Sequence, residues 1–291
     1  MALADWKDFD NMAAPAIRWP ERLTDALACP RCRVHLVSNE SRLQCRECGA
    51  FYDAADGILD LRPGADAQKK EEADWTKHWS DSNQHSISQR FFSFYRKAVF
   101  ARAVAYFVDR YLPAEGLLVE AGSGTSETSM LIDKRGGART LMALDLIRPV
   151  LERCHSVMDV RTCGDIFSLP FQNNSVDGIW NVGVMEHFTH DQIDAILREF
   201  RRVLNPGGRI ILLWPAKFSI PQRILRILEW FINLRRGGDK FRFHPDEISQ
   251  LRSVRQGNEV LTRNGFRTVA IDIGLRTLMA FETLVGEKKA S

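Results

Sequence analysis

The sequence predicts an α/β protein: a parallel sheet with helices on both faces, preceded by a small metal-held module. Three observations carry that prediction. Strand-like and helix-like stretches alternate from Gly116 onward, as a parallel sheet requires. The run "LLVEAGSGTSETS", residues 117–129, sets an apolar stretch against an acid, two glycines and small hydroxylated residues, so the chain turns tightly after a strand. Four of the six cysteines form two C-x2-C pairs near the front. Composition agrees with a globular chain: 291 residues, 45% hydrophobic and 26% charged. A net charge of +3 demands no polyanionic partner. The first twenty residues carry acids and lack a continuous apolar core, unlike a signal peptide. The longest apolar segment, "RILRILEWFINL", is broken by Arg226 and Glu229 and falls short of a bilayer span. A reducing, cytoplasmic setting is the expectation.

Residues 1–22 read as a flexible tail and 23–62 as the metal module. Cys29, Cys32, Cys45 and Cys48 make two knuckles, each pointing two thiolates at one centre, which suits tetrahedral Zn2+. Between them "RVHLVSNESRLQ" reads as two short strands around a polar turn, and "GAFYDAADGILDLRP" adds further β-like pieces. This is the pattern of a zinc ribbon. So short a segment buries too little apolar surface to fold well alone, so the metal supplies folding energy. Four thiolates close the coordination sphere, which makes the zinc structural; His35 is an alternative ligand. A pair of disulfides or a redox C-x2-C is the competing reading, and nothing else in the chain suggests secretion. Loss of the metal is expected to loosen this module and spare the main domain.

Residues 63–82 are polar, charged and Pro/Gly-initiated, as in a linker, and the main domain is expected over 83–291. Apolar residues on a helical period in "SISQRFFSFYRKAVFARAVAYFVDRYL" predict one or two helices. The expected order is then strand "LLVEAG", helix "SETSMLIDKRGG", strand "TLMALDL" and helix "RPVLERCHSVM". Strand "VRTCGD", strand "VDGIWNVG", helix "DQIDAILREFRRVLNPGG" and strand "RIILLWP" follow. Ligands in such sheets bind beyond the carboxyl ends of the strands, where the strand order reverses.

Gly122, Ser123 and Gly124 let the backbone approach a ligand closely, with a helix N-terminus expected behind them. A dinucleotide fingerprint places another small residue where Glu127 stands, and an acid facing a pyrophosphate is electrostatically wrong. Glu120 instead suits a ligand with a positive group, such as the ammonium of S-adenosylmethionine. Asp145 ends the second strand, where a carboxylate accepts both ribose hydroxyls, with Leu146 beside it. Asp165 follows the third strand and suits an adenine amino group, with Ile166 packing the ring. Asn181 and Val182 end the fourth, at the methionine end.

"VEAGSG", "ALDL", "GDIFSLPFQNNSVDGIWNVGVMEHF" and "EFRRVLNPGGRIILLWP" resemble the motifs of class I S-adenosylmethionine-dependent methyltransferases, in the group that includes ubiquinone and menaquinone biosynthesis enzymes. The resemblance covers about residues 85–285. It implies a Rossmann-like seven-stranded methyltransferase sheet whose last pair, "FRTVAIDIG" and "TLMAFETLVGE", is an antiparallel hairpin. The front module resembles a zinc ribbon found ahead of some bacterial methyltransferases, including a ribosomal-RNA guanine enzyme. Ser126 stands where the commonest pattern has a third glycine.

His187, in "MEHF" after the fourth strand, is the candidate general base; its other reading is a residue that orients a loop or packs on the cofactor. His244 precedes "PDE", a good helix start, and reads as a cap rather than a substrate contact. Trp75 and Trp79 read as packing residues or part of a lid, and Cys154 and Cys163 as small apolar residues. The insertion 216–243 is the most individual segment. A helix over 221–236 places Gln222, Arg226, Glu229, Asn233 and Arg236 on one face and apolar residues around the rest. Such a helix serves as a lid over a lipid-like acceptor, a peripheral membrane contact or a dimer interface. The leading functional reading is methyl transfer to the oxygen or carbon of a small or lipid-like acceptor. RNA methylation guided by the ribbon is the alternative, although the fourth strand ends in "NVGVM" rather than an N-P-P-Y type motif. A non-catalytic scaffold with the ribbon as a docking module is the third.

Overall fold

In the computed structural model, residues 20–39, 42–63, 96–215, 230–231, 233–234 and 248–290 are described. Helix α1, Glu21–Ala26, buries Leu23 and Ala26 and ends where Leu27 turns extended. Strands β1 (Leu36–Asn39), β2 (Arg42–Cys45) and β3 (Phe51–Ala55) form an antiparallel meander. A turn at Asp56 and Gly57, both left-handed at φ 54° and 71°, leads into β4, Ile58–Asp60.

The rest of the chain builds the main sheet. Five consecutive residues of a π-helical turn, Arg96–Phe100, run into α2, Ala101–Tyr111, whose Val104, Phe107 and Val108 are buried. Strands β5 (Gly116–Ala121) and β6 (Arg139–Asp145) follow, then α3 (Arg148–Glu152) and β7 (Val160–Cys163). After them come β8 (Val176–Val182), α4 (His190–Val203) and β9 (Leu204–Pro215). Helix α5 (Val254–Arg263) and the hairpin β10 (Phe266–Asp272) and β11 (Phe281–Lys288) complete it. Thr189 and Gln192 close a reciprocal capping box at the start of α4, and Ser253 caps α5.

The strand order β7-β6-β5-β8-β9-β11-β10 gives seven strands, parallel except for β11, which runs antiparallel to β9 and β10. The expected seven-stranded sheet and its closing hairpin are both present. The sheet does not stop there. Strand β4 pairs in parallel with β7, Ile58 opposite Arg161 and Asp60 opposite Cys163, so the front module extends the sheet to eleven strands.

Two cores lie against the two faces. One joins Val119, Met142, Ile179 and Leu212 to Phe200 of α4 and continues into Leu23, Leu27, Leu36 and Leu43 of the front module. The other joins Leu118, Leu141, Trp180 and Ile211 to Val104, Phe107 and Val108 of α2. The front module therefore has no separate core.

Three expected helices are cut short. "SETSMLIDKRGG" forms only a three-residue 3-10 turn, Glu127–Ser129, and a second at Arg135–Gly137. Ser126 sits in the left-handed region at φ 52°, and Arg135, Gly136 and Gly137 are left-handed as well, which leaves at most residues 127–134 for a helix. Ser and Thr compete for local hydrogen bonds and add to that. Helix α3 stops at Glu152, and His155 donates its backbone N–H to Thr125 O at 2.9 Å instead. The helix over "DQIDAILREFRRVLNPGG" ends at Val203, before the residue that precedes Pro206.

Candidate functional site

Strand β5 lies between β6 and β8, and the chain leaves it toward β6 and β7 before returning to β8 and β9. That makes the β5/β8 boundary the switch point where a ligand finds a crevice. The carboxyl ends of β7, β6, β5 and β8 stand side by side there, and the expected site residues lie on them. Gly122 and Ser123 both donate backbone N–H to Leu144 O, at 2.8 and 3.0 Å, which folds the loop back over β6. Gly122 has φ 72°, and a Cβ there would meet Val184 Cγ2 at 2.8 Å. Only glycine fits that turn.

Asp145, 9% exposed, receives the backbone N–H of Gly124 at 2.7 Å and of Ile147 at 2.9 Å. One carboxylate thus ties the glycine loop to the turn after β6. A carboxylate offers about four lone-pair sites, so hydroxyls of a ligand still find acceptors. Burial pushes its pKa up, against the pull of those backbone donors. Leu146 is half-buried beside it. Asp165 is half-buried, accepts from Phe167 N at 2.8 Å and is also pushed up by burial; Ile166 packs on the core next to it. Val182 is half-buried at the end of β8.

Glu120 and Asn181 are the unusual members. Glu120 is 1% exposed; its Oε1 accepts from Ser129 Oγ at 2.9 Å, and its Oε2 has no hydrogen-bond partner. Burial drives its pKa to about 7, in part offset by nearby hydroxyls. Asn181 is fully buried, and neither its Oδ1 nor its Nδ2 has a partner. Buried polar atoms are normally satisfied, so these orphaned groups mark a place for a polar ligand. They suit the methionine end of S-adenosylmethionine: a carboxylate oxygen for an ammonium and an amide for polar groups beside it. The expected helix N-terminus behind the glycine loop is absent, so the backbone turn and the acids carry this site.

His187 lies on the short 3-10 turn Met185–His187 after β8, with Nε2 4.0 Å from Glu186 Oε1. Sequence reasoning missed several supporting residues. Glu199 of α4 accepts Leu169 N at 2.8 Å, and Arg202 donates to Leu169 O, Phe171 O and Glu199, stapling the loop that carries Asp165. Their i, i+3 spacing in "EFRRV" was the available signal. Among the residues of the insertion, Trp230, Phe231 and Leu234 are helical and exposed, Asn233 is helical and half-buried, and the other residues of 221–236 lie outside the described residues. His244, Trp75 and Trp79 also lie outside them. Cys163 is fully buried and Cys154 half-buried.

At the front, the sulfurs of Cys29, Cys32, Cys45 and Cys48 lie within 4.8 Å of one another, and no cysteine is in a disulfide. Cys29 Sγ and Cys48 Sγ are 3.8 Å apart. A tetrahedron with Zn–S bonds of 2.3 Å has edges of about 3.8 Å, so the donor set fits zinc. The Tyr52 hydroxyl sits 3.1 Å from Cys29 Sγ, placed to donate to a thiolate. His35 is turned away, its Nδ1 2.9 Å from Gln172 Nε2.

Comparison with known proteins agrees with this geometry. Residues 119–212, from β5 to β9, match the family described as "Methyltransferase domain". A malonyl-(acyl-carrier protein) O-methyltransferase of Herminiimonas arsenicoxydans is 29% identical over 45% of this chain and 52% of its own length. A ubiquinone/menaquinone biosynthesis C-methyltransferase of a Ruegeria species is 33% identical over 35% of this chain and 42% of its own. The chain thus spans about half or less of those two curated relatives. Among solved structures, the magnesium protoporphyrin IX methyltransferase of Synechocystis aligns with a TM-score of 0.52 at 14% identity, over 77% of this chain and 98% of that one. A Burkholderia thailandensis 1,6-didemethyltoxoflavin-N1-methyltransferase aligns with a TM-score of 0.51 at 14% identity, over 85% and 99%. Those two likenesses concern the fold. With their strand order and acidic strand ends, residues 119–212 are similar to a methyltransferase domain, and a four-cysteine module precedes them.

Proposed function

We propose that this protein transfers a methyl group from S-adenosylmethionine to the oxygen or carbon of a small or lipid-like acceptor. The observation that supports it most is the presence of two orphaned buried groups, Glu120 Oε2 and the Asn181 amide, at the end of the sheet that also carries Asp145 and Asp165. In this reading Glu120 and Asn181 hold the methionine end, with Val182 against it. The backbone of Gly122, Ser123 and Gly124 passes close to the ligand. Asp145 accepts the ribose hydroxyls with Leu146 alongside, and Asp165 and Ile166 receive the adenine. The cofactor supplies a methyl already activated on a sulfonium. The chain then has to position an acceptor in line and exclude water, and positioning contributes up to about 7–11 kcal/mol in the best intramolecular cases. His187, beyond β8, is the residue we assign to remove a proton where the acceptor carries one. Residues 216–243 are assigned as the acceptor lid, with Trp230, Phe231 and Leu234 offering apolar surface. The thiolate cluster is assigned a structural zinc.

The relatives support a small or carrier-borne acceptor: their names give malonyl-(acyl-carrier protein) and ubiquinone or menaquinone biosynthesis. The test supplies methyl-labelled S-adenosylmethionine with cellular lipid and metabolite extract in one arm and total RNA in the other. Label in the extract supports the reading. Label confined to RNA would replace the acceptor class, and failure to bind the cofactor at all would remove the methyltransferase reading.

A further inference from the structure

Trp180 of β8 stands opposite Glu120 of β5 in the parallel register, on the same face of the sheet. Its indole Nε1 donates to Ser129 Oγ at 3.1 Å, and Ser129 Oγ donates to Glu120 Oε1 at 2.9 Å. Trp180 and Ser129 are fully buried. An indole N–H only donates, so the serine oxygen accepts from it, and the serine proton is left to donate to the carboxylate when Glu120 is ionised. That sets the direction of the relay for the ionised acid. While Glu120 is ionised, Oε1 accepts from Ser129 and Oε2 is left without a partner.

We propose that Ser129 and Trp180 are positioning residues for the cofactor: their two-bond relay pins Glu120 by Oε1 and reserves Oε2 for the ligand's ammonium. The proposal rests on the S-adenosylmethionine reading of the site. It explains why an orphaned oxygen survives at the end of a buried strand. A freely rotating carboxyl would turn either oxygen toward a donor, whereas this one is held by its far oxygen and presents the near one. The relay also makes the site proton-sensitive. A proton on either oxygen removes the negative charge that the ammonium needs, so cofactor binding requires the ionised form. Burial holds that ionisation near pH 7, and the Ser129 hydrogen bond opposes the rise. The groups facing Glu120 are Ser126 and Ser129 from the loop, Trp180 from β8, Asp145 on β6 and Cys154 beyond α3. None of these is a cation, so no positive charge from them competes with the ligand for Oε2. Asp145, the acid among them, raises the carboxyl further.

The experiment measures affinity for S-adenosylhomocysteine by calorimetry from pH 5.5 to 9, in the wild type, Ser129→Ala and Trp180→Phe. Ser129→Ala removes one oxygen from the interior and is the variant that keeps the fold if the Trp180 change disturbs packing. The wild type is expected to bind more weakly as pH falls through about 7. Ser129→Ala is expected to bind about 10–100-fold more weakly at pH 7 and to move that midpoint upward. Trp180→Phe is expected to shift it in the same direction by less. 5′-Methylthioadenosine, which lacks the ammonium, should show a flat profile in this range. Wild-type affinity and an unmoved midpoint in Ser129→Ala overturn the relay alone, as does a sloping methylthioadenosine profile. A folded wild type that binds no S-adenosylhomocysteine at any pH overturns the cofactor reading and the relay with it.

Discussion

At the scale of single residues, the candidate site is built from buried or half-buried acids, and their titration bears on how the unliganded protein responds to pH. Glu120 has its pKa raised by burial from an ordinary value of 4.5 to about 7. Between those values the folded chain keeps a proton that the unfolded chain has lost. The stabilisation from this residue is full below pH 4.5 and disappears as pH rises through 7. Asp145 and Asp165 are raised by burial and act with the same sign. Glu287 acts oppositely, since Arg267 and Arg209 hold its pKa down. To isolate Glu120, the melting temperatures of the unliganded wild type and Glu120→Gln are compared from pH 7 down to 5. The wild type should gain on the variant as the solution is acidified. Parallel curves would mean that the carboxyl titrates as if it were in water.

At the scale of elements, the front module and the β7–β8 loop form one unit. Ala28 N donates to Pro170 O at 2.9 Å, Gln172 N to Ala26 O at 2.8 Å, and Leu61 N to Cys163 O at 2.9 Å. Cys29 immediately follows Ala28, so the knuckle and the loop bearing Asp165 share a stretch of backbone contacts. The sequence led us to expect that metal loss would spare the main domain; the shared core and these bonds predict a wider effect. Chelation or Cys45→Ser should lower the melting temperature by about 5 °C or more. It should also raise amide exchange across residues 164–172. Faster exchange confined to residues 20–62 would show the two parts to be independent. Much of the site was legible beforehand because acids at strand ends are chemically distinctive: Glu120, Asp145 and Asp165 all lie where the strand pattern put them. The relay was not legible, since Ser129 and Trp180 are fifty-one positions apart and meet only through the β5–β8 pairing. Nor was the shortened helix after the glycine loop, where left-handed backbone at Ser126 overrides an acceptable pattern. Docking of the front module was hidden for a similar reason. Its strand β4 has three residues, and its partner is far along the chain.

At the scale of the whole molecule, β4 is the cover on a strand that would otherwise lie at the sheet's edge. Unpaired edges invite pairing with other chains. Removal of residues 1–62 should therefore bare the side of β7 together with Phe171 and Leu169, which share a core with the front module. The shortened chain is expected to self-associate, which light scattering coupled to size exclusion would reveal. A stable monomer of the truncated chain would argue that β7 needs no cover. The same pairing has a consequence in time. Ile58 is translated long before its partner Arg161, and at 5–20 residues per second the interval is about 5–20 s. Throughout that wait the front module has only its short-range contacts and its thiolates to hold it. A front module that takes up an ion within that interval would meet β7 as a finished edge, and one that has not would meet it as a loose segment.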